Sequence, residues 1–518
     1  MQLRHQCITV SADLYIAMWS RVYLRMDTSS RRRFLATSMR AAAGLAVAPT
    51  FASIIQSCTS DTPVGPSGKW IELAEALEGL LVVREDLDFA RLNTQYALAY
   101  LSVVPQAIAL CESEDDVITC VKWARANNVP IAARSGGHSY AGFSRTTGLL
   151  IDLSQMSLIS YDPATQRATL EGGAHNREVY NVGRSGSMSI THGRCKAVGA
   201  AGLVLGGGIG FNMRNKGLTC DQLVSTRIVL ASGEVITASA TENPDVFWAV
   251  RGAGGGNFGI HTQFVMQMFP VTRVTWFRLQ WETELERVFD VFQDVALAAP
   301  PEFGAKFMLN ARKTHADNQL YIEILGQFAG DEAQLRSILA PVYNVAAPSL
   351  EVVQNLPYWD AQEQLSENGS PEYAHERSRY AFSKISPEGR DAIFRNLRNW
   401  PGTSVDAQWK YFLMGGRIGD VANDATAFAF RNATMITSID LEWMAPDSKK
   451  LTQNFAWLDA FHAEMEQYTS RHCYVNFIDN RQANHLDAYY GNSVERLREV
   501  KRKLDPDNVF SNPQSVPV

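Results

Sequence analysis

The first part of the chain sets short apolar runs between glycine-rich turns. Val117, Cys120, Val121 and Ala124 recur at helical spacing after acids at the start of the segment, and Pro130 lies beyond its end, which predicts a helix over Asp115–Asn127. Ile131-Ala132-Ala133 then runs unbroken into Arg134-Ser135-Gly136-Gly137-His138, the pattern of a strand leading into a turn. Leu149-Leu150-Ile151 and Ser225–Leu230, the latter before Ser232-Gly233, predict two more buried strands. From Trp70 to about Phe269 the pattern is that of an α+β region.

From Val271 to about Tyr468 the texture changes. Val274–Leu279, Leu320–Leu325 and Met435–Trp443 read as strands of a sheet covered by helices, one of them Glu284–Leu297, where Thr283 and Glu286 have the spacing of a capping box. The tail from Cys473 ends in a helix over about Val494–Leu504, preceded by Asn492-Ser493 and stopped by Asp505-Pro506. The expected division is 70–270, 271–470 and 471–518, behind an N-terminal region 1–58 and a linker 59–69 rich in Pro and Gly.

Composition narrows the class. The 518 residues are 46% hydrophobic and 20% charged, too apolar for a disordered chain. The uncharged runs Ala41–Ser60 and Leu92–Cys111 are broken by Pro and polar residues, so a polytopic membrane protein is excluded. The formal charge of −6 argues against a nucleic acid partner. That charge is unevenly placed: residues 1–58 carry seven Arg and two Asp, a net of +5 against −11 for the remainder. Ser30-Arg31-Arg32-Arg33-Phe34-Leu35 before the uncharged stretch Ala41–Cys58 looks like a twin-arginine export signal, with residues 1–25 upstream of an alternative start at Met26. The expected location is periplasmic or otherwise extracytoplasmic. Ile55-Gln56-Ser57-Cys58 resembles a lipobox and makes Cys58 a candidate lipid anchor, although Gln56 is unusual there.

Several kinds of chemistry lack their motif. Gly254-Gly255-Gly256-Asn257-Phe258-Gly259 fits G-x-G-x-x-G, but it follows a helix-like segment and precedes the strand-like Ile260–Phe269, the reverse of a dinucleotide fold. There is no Walker loop, no G-x-S-x-G and no set of residues at zinc-ligand spacing, so no metal is expected. What remains is glycine gathered around two reactive side chains. Arg134-Ser135-Gly136-Gly137-His138-Ser139-Tyr140 could present successive N–H groups to a pyrophosphate. The second stretch is His192–Gly210, with Cys195, Val198, Gly199, Gly202 and Gly206. Each taken alone is equally well a structural turn, and a lone Cys is more often a core residue.

Together, in this order and at this separation, they resemble the berberine bridge enzyme-like group of FAD-linked oxidoreductases, which share the vanillyl-alcohol-oxidase (PCMH) type of FAD-binding fold. The resemblance runs from about Pro105 to the C-terminus and includes Ile151-Asp152-Leu153-Ser154, Arg251–Ile260 with Asn257 and Gly259, Tyr489-Tyr490-Gly491-Asn492 and Asp505–Phe510. It implies an α+β fold, with a two-part FAD-binding domain and a substrate domain whose antiparallel sheet is covered by helices. It implies FAD tethered to His138 and Cys195 and cradled by Arg134, Ser135, Gly136, Gly137, Ser139, Asp152, Val198, Gly199, Gly202, Gly206, Asn257, Gly259 and Asn476. The expected substrate is a small molecule, bulky or carbohydrate-like, giving hydride to the flavin. Molecular oxygen is the expected acceptor, because a small Val at position 198 accompanies oxygen reactivity in the family. A dehydrogenase using another acceptor, or a flavin-loaded binding protein, are the alternatives.

One motif departs from the family. Where many members have Tyr-x-Asn-Tyr-x-Asp, this chain has Tyr474-Val475-Asn476-Phe477-Ile478-Asp479. Phe477 neither accepts nor relays a proton, which leaves Tyr474 as the candidate base, or Asp420 after Met414–Gly419, whose plainer reading is a solvated loop acid near Asp424, or a reaction that needs no base there. Phe430-Arg431 stands where relatives often have His-Arg. Trp409, Tyr411 and Tyr373 could stack on a sugar, or belong to the core. Cys111, Cys120, Cys220 and Cys473 are expected to be core thiols.

Overall fold

The computed structural model describes residues 66–312, 319–402, 406–443 and 448–518. The twin-arginine segment, Cys58 and the linker up to residue 65 lie outside them. Among the described residues no helix is long and apolar enough to cross a membrane.

Strands β1 (Leu80–Val83), β2 (Ala107–Leu110), β3 (Ile131–Arg134) and β4 (Leu149–Asp152) form a sheet in the order β1-β2-β4-β3. β2, β4 and β3 are parallel and β1 is antiparallel at the edge. Parallel strands are covered on both faces, which is why their sequences read as unbroken apolar runs. The helix Glu114–Ala126 lays Val117, Cys120 and Val121 on Ala107, Ala109, Leu149 and Ile151, while Ile108 and Leu150 meet Phe89 on the other side. Ser113 caps that helix, its side chain accepting the Asp116 N–H at 3.2 Å.

β5 (Ile159–Asp162), β6 (Arg167–Glu171), β7 (Met188–Ser189), β8 (Leu223–Val229), β9 (Val235–Ser239), β10 (Ile260–Gln267) and β11 (Phe269–Pro270) follow. Five of them make the antiparallel sheet β5-β6-β10-β8-β9, and β7 pairs with β11. The C-terminal tail packs on this sheet: Tyr489, Tyr490, Leu497, Val500 and Leu504 share one core with Leu170, Phe264 and Phe247. Lys501 locks it there from inside. Its ammonium donates to Asp505 Oδ2 (2.7 Å) and to the carbonyls of Asn257 (2.8 Å) and Phe510 (2.6 Å).

β12 (Arg273–Trp281), β13 (Phe303–Arg312), β14 (Gln319–Phe328), β15 (Leu350–Pro357), β16 (Tyr373–Ala381), β17 (Asp406–Leu413) and β18 (Met435–Trp443) form an antiparallel sheet in the order β15-β12-β14-β13-β17-β18-β16. Period-two alternation gives it two unlike faces. Phe307 and Leu309 of β13, Trp409 and Tyr411 of β17, and Ile439 and Leu441 of β18 are buried against helices Leu285–Ala298, Glu332–Tyr343, Pro387–Arg398 and Ser448–Met465. Each fully buried Phe or Leu there contributes roughly 1.5–3 kcal/mol. Trp409 and Tyr411 are thus core residues, and Tyr373 lies tilted against Trp443 at the edge of the same core. The intervening positions, Lys306 opposite Phe412, Lys410 opposite Ser438, and Gln408 opposite Asp440 and then Glu376, lie on the other face.

The α+β architecture with a helix-covered antiparallel sheet is the one expected. The capping box expected at Thr283 and Glu286 does not form: Glu284 itself stands at the helix start, with φ +53° and no side-chain cap. Cys111, Cys120, Cys220 and Cys473 are buried free thiols.

Candidate active site

Arg134 and Asp152 are neighbours across the parallel β3–β4 pair, and Arg134 Nε donates to Asp152 Oδ2 at 2.5 Å in a fully buried setting. Asp152 also accepts the Ser154 N–H at 2.7 Å. Neither residue lines the cavity above them. They brace the turn that follows β3, and among the described residues Arg134 Nη1 is buried without a hydrogen-bond partner. That turn, Ser135–His138, meets the loop Gly193–Gly199 backbone to backbone. A Cβ on Gly136 would sit 2.2 Å from the Gly199 nitrogen, and one on Gly199 would sit 2.3 Å from Ser135 Oγ, so only glycine at both lets the loops touch.

The two loops open onto a cavity of about 340 Å³, the size of a small-molecule site. Ser135, Gly136, Gly137, His138 and Ser139 line it from the first turn, and Cys195, Val198, Gly199 and Gly202 from the second. Asn257 and Gly259 border it beside the loop Gly254–Gly256, and Tyr474 and Asn476 beside the tail. Gly206 stands outside the lining: a Cβ there would be 2.1 Å from Asn476 Oδ1, so it admits Asn476 rather than a ligand. Asn257 is spent within the protein, its Nδ2 donating to Ala253 O (2.9 Å) and its Oδ1 accepting the Val516 N–H (2.9 Å). Asp420 is also outside. It ends a short 3₁₀ turn, two-thirds exposed, and pairs with Arg417 at 3.7 Å, so its position does not support a catalytic role.

His138 and Cys195 come together at one edge of the cavity. A Cβ on Gly369 (φ +72°) would meet Cys195 Sγ at 2.2 Å and His138 Cε1 at 2.9 Å. Gly369 belongs to the segment after the helix Tyr358–Leu365, held by a Glu367 N–H to Arg194 O bond (3.1 Å) and a Lys196 N–H to Glu367 O bond (2.8 Å). His138 stacks on Tyr96 with ring centroids 4.3 Å apart. Burial, helped by His175, holds its imidazole at about 4, so it is neutral with a free lone pair near pH 7. Cys195 differs from the thiolate that a nucleophile requires: burial, then Glu367, pushes its thiol up to about 11.

Sequence reasoning missed the wall opposite. Lys306, Lys410, Phe412 and Glu376 line the cavity from the polar face of the large sheet. Lys410 Nζ lies 2.8 Å from Asp440 and 3.2 Å from Glu376, and although burial opposes its charge, these carboxylates raise its pKa. The alternation Gln408, Lys410, Phe412 between Trp409 and Tyr411 was the available signal. Tyr474 is fully buried, its hydroxyl oxygen accepting the Gly208 N–H (3.0 Å) and Asn476 Nδ2–H (3.2 Å), and burial keeps its proton on. Phe477 stacks on Tyr140 with centroids 5.7 Å apart. Arg431, beside Phe430, is paired with Asp221 at 2.7 Å, away from the cavity.

These residues fit a flavin nucleotide. Gly202 has open space where a Cβ would project, and around Gly254–Gly256 the nearest atoms are Val475 Cγ2 (3.1 Å) and, at 3.8 Å, Leu205 and Asn512. Among the described residues, Ser135 Oγ is buried without a hydrogen-bond partner.

Comparison with known proteins agrees. Residues 105–239 match the FAD binding domain family model, and 473–517 match berberine and berberine like. The FAD-linked oxidoreductase YgaK of Bacillus subtilis (strain 168) is 33% identical over 449 residues, 85% of this chain and 97% of that one. The glucooligosaccharide oxidase of Sarocladium strictum is 31% identical, over 80% of this chain and 87% of its own. The solved structure of Physcomitrella patens BBE-like 1 superposes with a TM-score of 0.80 at 28% identity, covering 87% of this chain and 99% of that one.

Proposed function

The chain belongs to the berberine bridge enzyme-like family of FAD-linked oxidoreductases, and on that premise we propose that it holds FAD through both His138 and Cys195 and oxidises a carbohydrate-like alcohol. The observation that carries this reading is the convergence of a neutral imidazole and a thiol on Gly369 at one edge of the cavity. Bound FAD would supply the two-electron acceptor for hydride. The glycine loops would hold the nucleotide, and the polar face of the large sheet would meet the substrate. An oligosaccharide is the favoured substrate class. The relatives include proteins named glucooligosaccharide, xylooligosaccharide and chitooligosaccharide oxidase, and Lys306, Glu376 and Lys410 offer donors and acceptors for hydroxyl groups.

Oxygen is the proposed electron acceptor, on the ground that Val198 leaves a small side chain on the cavity wall. Stopped-flow reoxidation of the reduced protein by oxygen tests this, and a slow oxygen reaction with fast quinone turnover would favour a dehydrogenase. Export is part of the proposal and rests on Arg31-Arg32-Arg33 and the uncharged stretch Ala41–Cys58, with Cys58 as the proposed lipid anchor.

The deciding experiment is the intact mass of the denatured protein. One FAD should remain on the wild type and on His138→Ala and Cys195→Ala separately, and leave the double variant. FAD that washes off the wild type would overturn the covalent reading and leave FAD binding standing.

A further inference from the structure

Lys306 enters the cavity wall from β13 and is 5% exposed. Its side-chain nitrogen makes no hydrogen bond or ion pair among the described residues and lies over the Phe412 ring, 5.5 Å from the centroid. A lysine placed for stability alone would bring a carboxylate with it, because an unpaired buried charge is costly. The partner strands show what such pairing looks like, with Lys410 between Asp440 and Glu376.

We propose that Lys306 is the catalytic base that takes the substrate's hydroxyl proton, an assignment that rests on the proposed alcohol oxidation. The other candidates are engaged. Tyr474 oxygen already accepts two hydrogen bonds, Phe477 has no proton to exchange, and Glu376 faces Lys410. Of the titratable side chains that the large sheet turns to the cavity, Lys306, Glu376 and Lys410, only Lys306 is without an ion pair among the described residues.

The charges around it favour this use. Burial first, then the cations Arg194 and Lys410, bring the amine down to about 7, so the lone-pair and ammonium forms coexist at neutral pH, while Glu367 and Glu376 stabilise the ammonium once it forms. Glu323 of β14, opposite Met308, is held by Arg278 at 3.1 Å. Arg214, on the short helix Met213–Lys216, spends its guanidinium on the Ala299 and Phe303 carbonyls. In the step, the substrate O–H bond breaks and an N–H bond forms on Lys306. The carbon's hydrogen leaves with its electron pair to the flavin, and C–O becomes C=O. The ammonium then releases its proton to water.

The test compares Lys306→Met, Lys306→Arg and Glu376→Gln with wild type as flavin-loaded protein, following anaerobic flavin reduction by cello-, xylo- and chito-oligosaccharides from pH 5 to 10. The wild-type second-order rate constant for flavin reduction should rise tenfold per pH unit below about 7 and then level. Lys306→Met should lose that limb and at least about 100-fold in rate, whereas Glu376→Gln, which removes an anion that stabilises the ammonium, should keep the limb but move it to lower pH. In parallel, trace acetylation of Lys306 in the wild-type holoenzyme, read by peptide mass spectrometry, should titrate near 7. An unchanged limb in Lys306→Met overturns the assignment alone. So does a labelling midpoint near the ordinary lysine value, or no labelling at any pH. A loaded flavin that no oligosaccharide reduces overturns the functional reading and the assignment with it.

Discussion

Arg377 on β16 donates its Nε–H to Asp479 of the C-terminal tail at 2.7 Å, with both side chains under a tenth exposed. His375 Nε2 lies 3.0 Å from the other carboxylate oxygen. The contact ties the tail that carries Tyr474 and Asn476 to the sheet that carries Lys306 and Lys410. Asp479→Asn leaves Arg377 without one of its buried partners and should cost about 3–5 kcal/mol, read as a lower Tm by calorimetry.

The same pair sets an acid limit. Burial opposes ionisation of Asp479, but His375 and Arg377 outweigh it and hold the carboxyl at about 2, below its ordinary 3.8. A depressed carboxylate contributes stability that is full above 3.8 and is lost as pH falls through about 2. Acid unfolding followed by circular dichroism should be steeper in that window for wild type than for Asp479→Asn. Equal slopes would mean that the pair is not linked to folding.

Gly369 is the tightest point over the proposed tethers. Gly369→Ala places a methyl 2.2 Å from Cys195 Sγ in a left-handed backbone (φ +72°). The cysteinyl bond to FAD should fall sharply while the bond at His138 persists, as read from flavin peptides by mass spectrometry. Full attachment at Cys195 in this variant would show that the segment moves aside.

Attachment at Cys195 should depend on pH. Its thiol is raised above the ordinary 9.0 to about 11, by burial first and Glu367 second. The thiolate, and with it the rate of cysteinyl bond formation in a His138→Ala background, should therefore grow as pH rises toward 11. Removing the nearby anion with Glu367→Gln should move the curve to lower pH. A rate flat in pH would assign thiol activation to the bound flavin itself.

Export is tested by replacing Arg32 and Arg33 with Lys. The precursor should accumulate inside the cell with its flavin bound, because the substitutions lie outside residues 65–518, which form one compact unit.

Sequence alone determined the main elements, the family and the two glycine-rich loops that line the cavity. Unbroken runs such as Leu149-Leu150-Ile151 read as buried, and glycine gathered around His138 and Cys195 marked out the two loops that line the cavity, while the structure showed that Gly136 and Gly199 meet there backbone to backbone. The tertiary structure decided what the sequence left open. Arg134 and Asp152 read as ligands, yet the parallel register sets them side by side beneath the turn. Gly369 was invisible, and the polar face of the sheet showed only as an alternation without a partner, because their meaning lies in neighbours far along the chain: Gly369 is defined by Cys195 and His138, and Lys306 by Lys410, Glu376 and Arg194. A local pattern reports which residues turn inward. Which of them face a core and which face a cavity depends on what packs against each side of the sheet, and that is settled only when the distant strands pair.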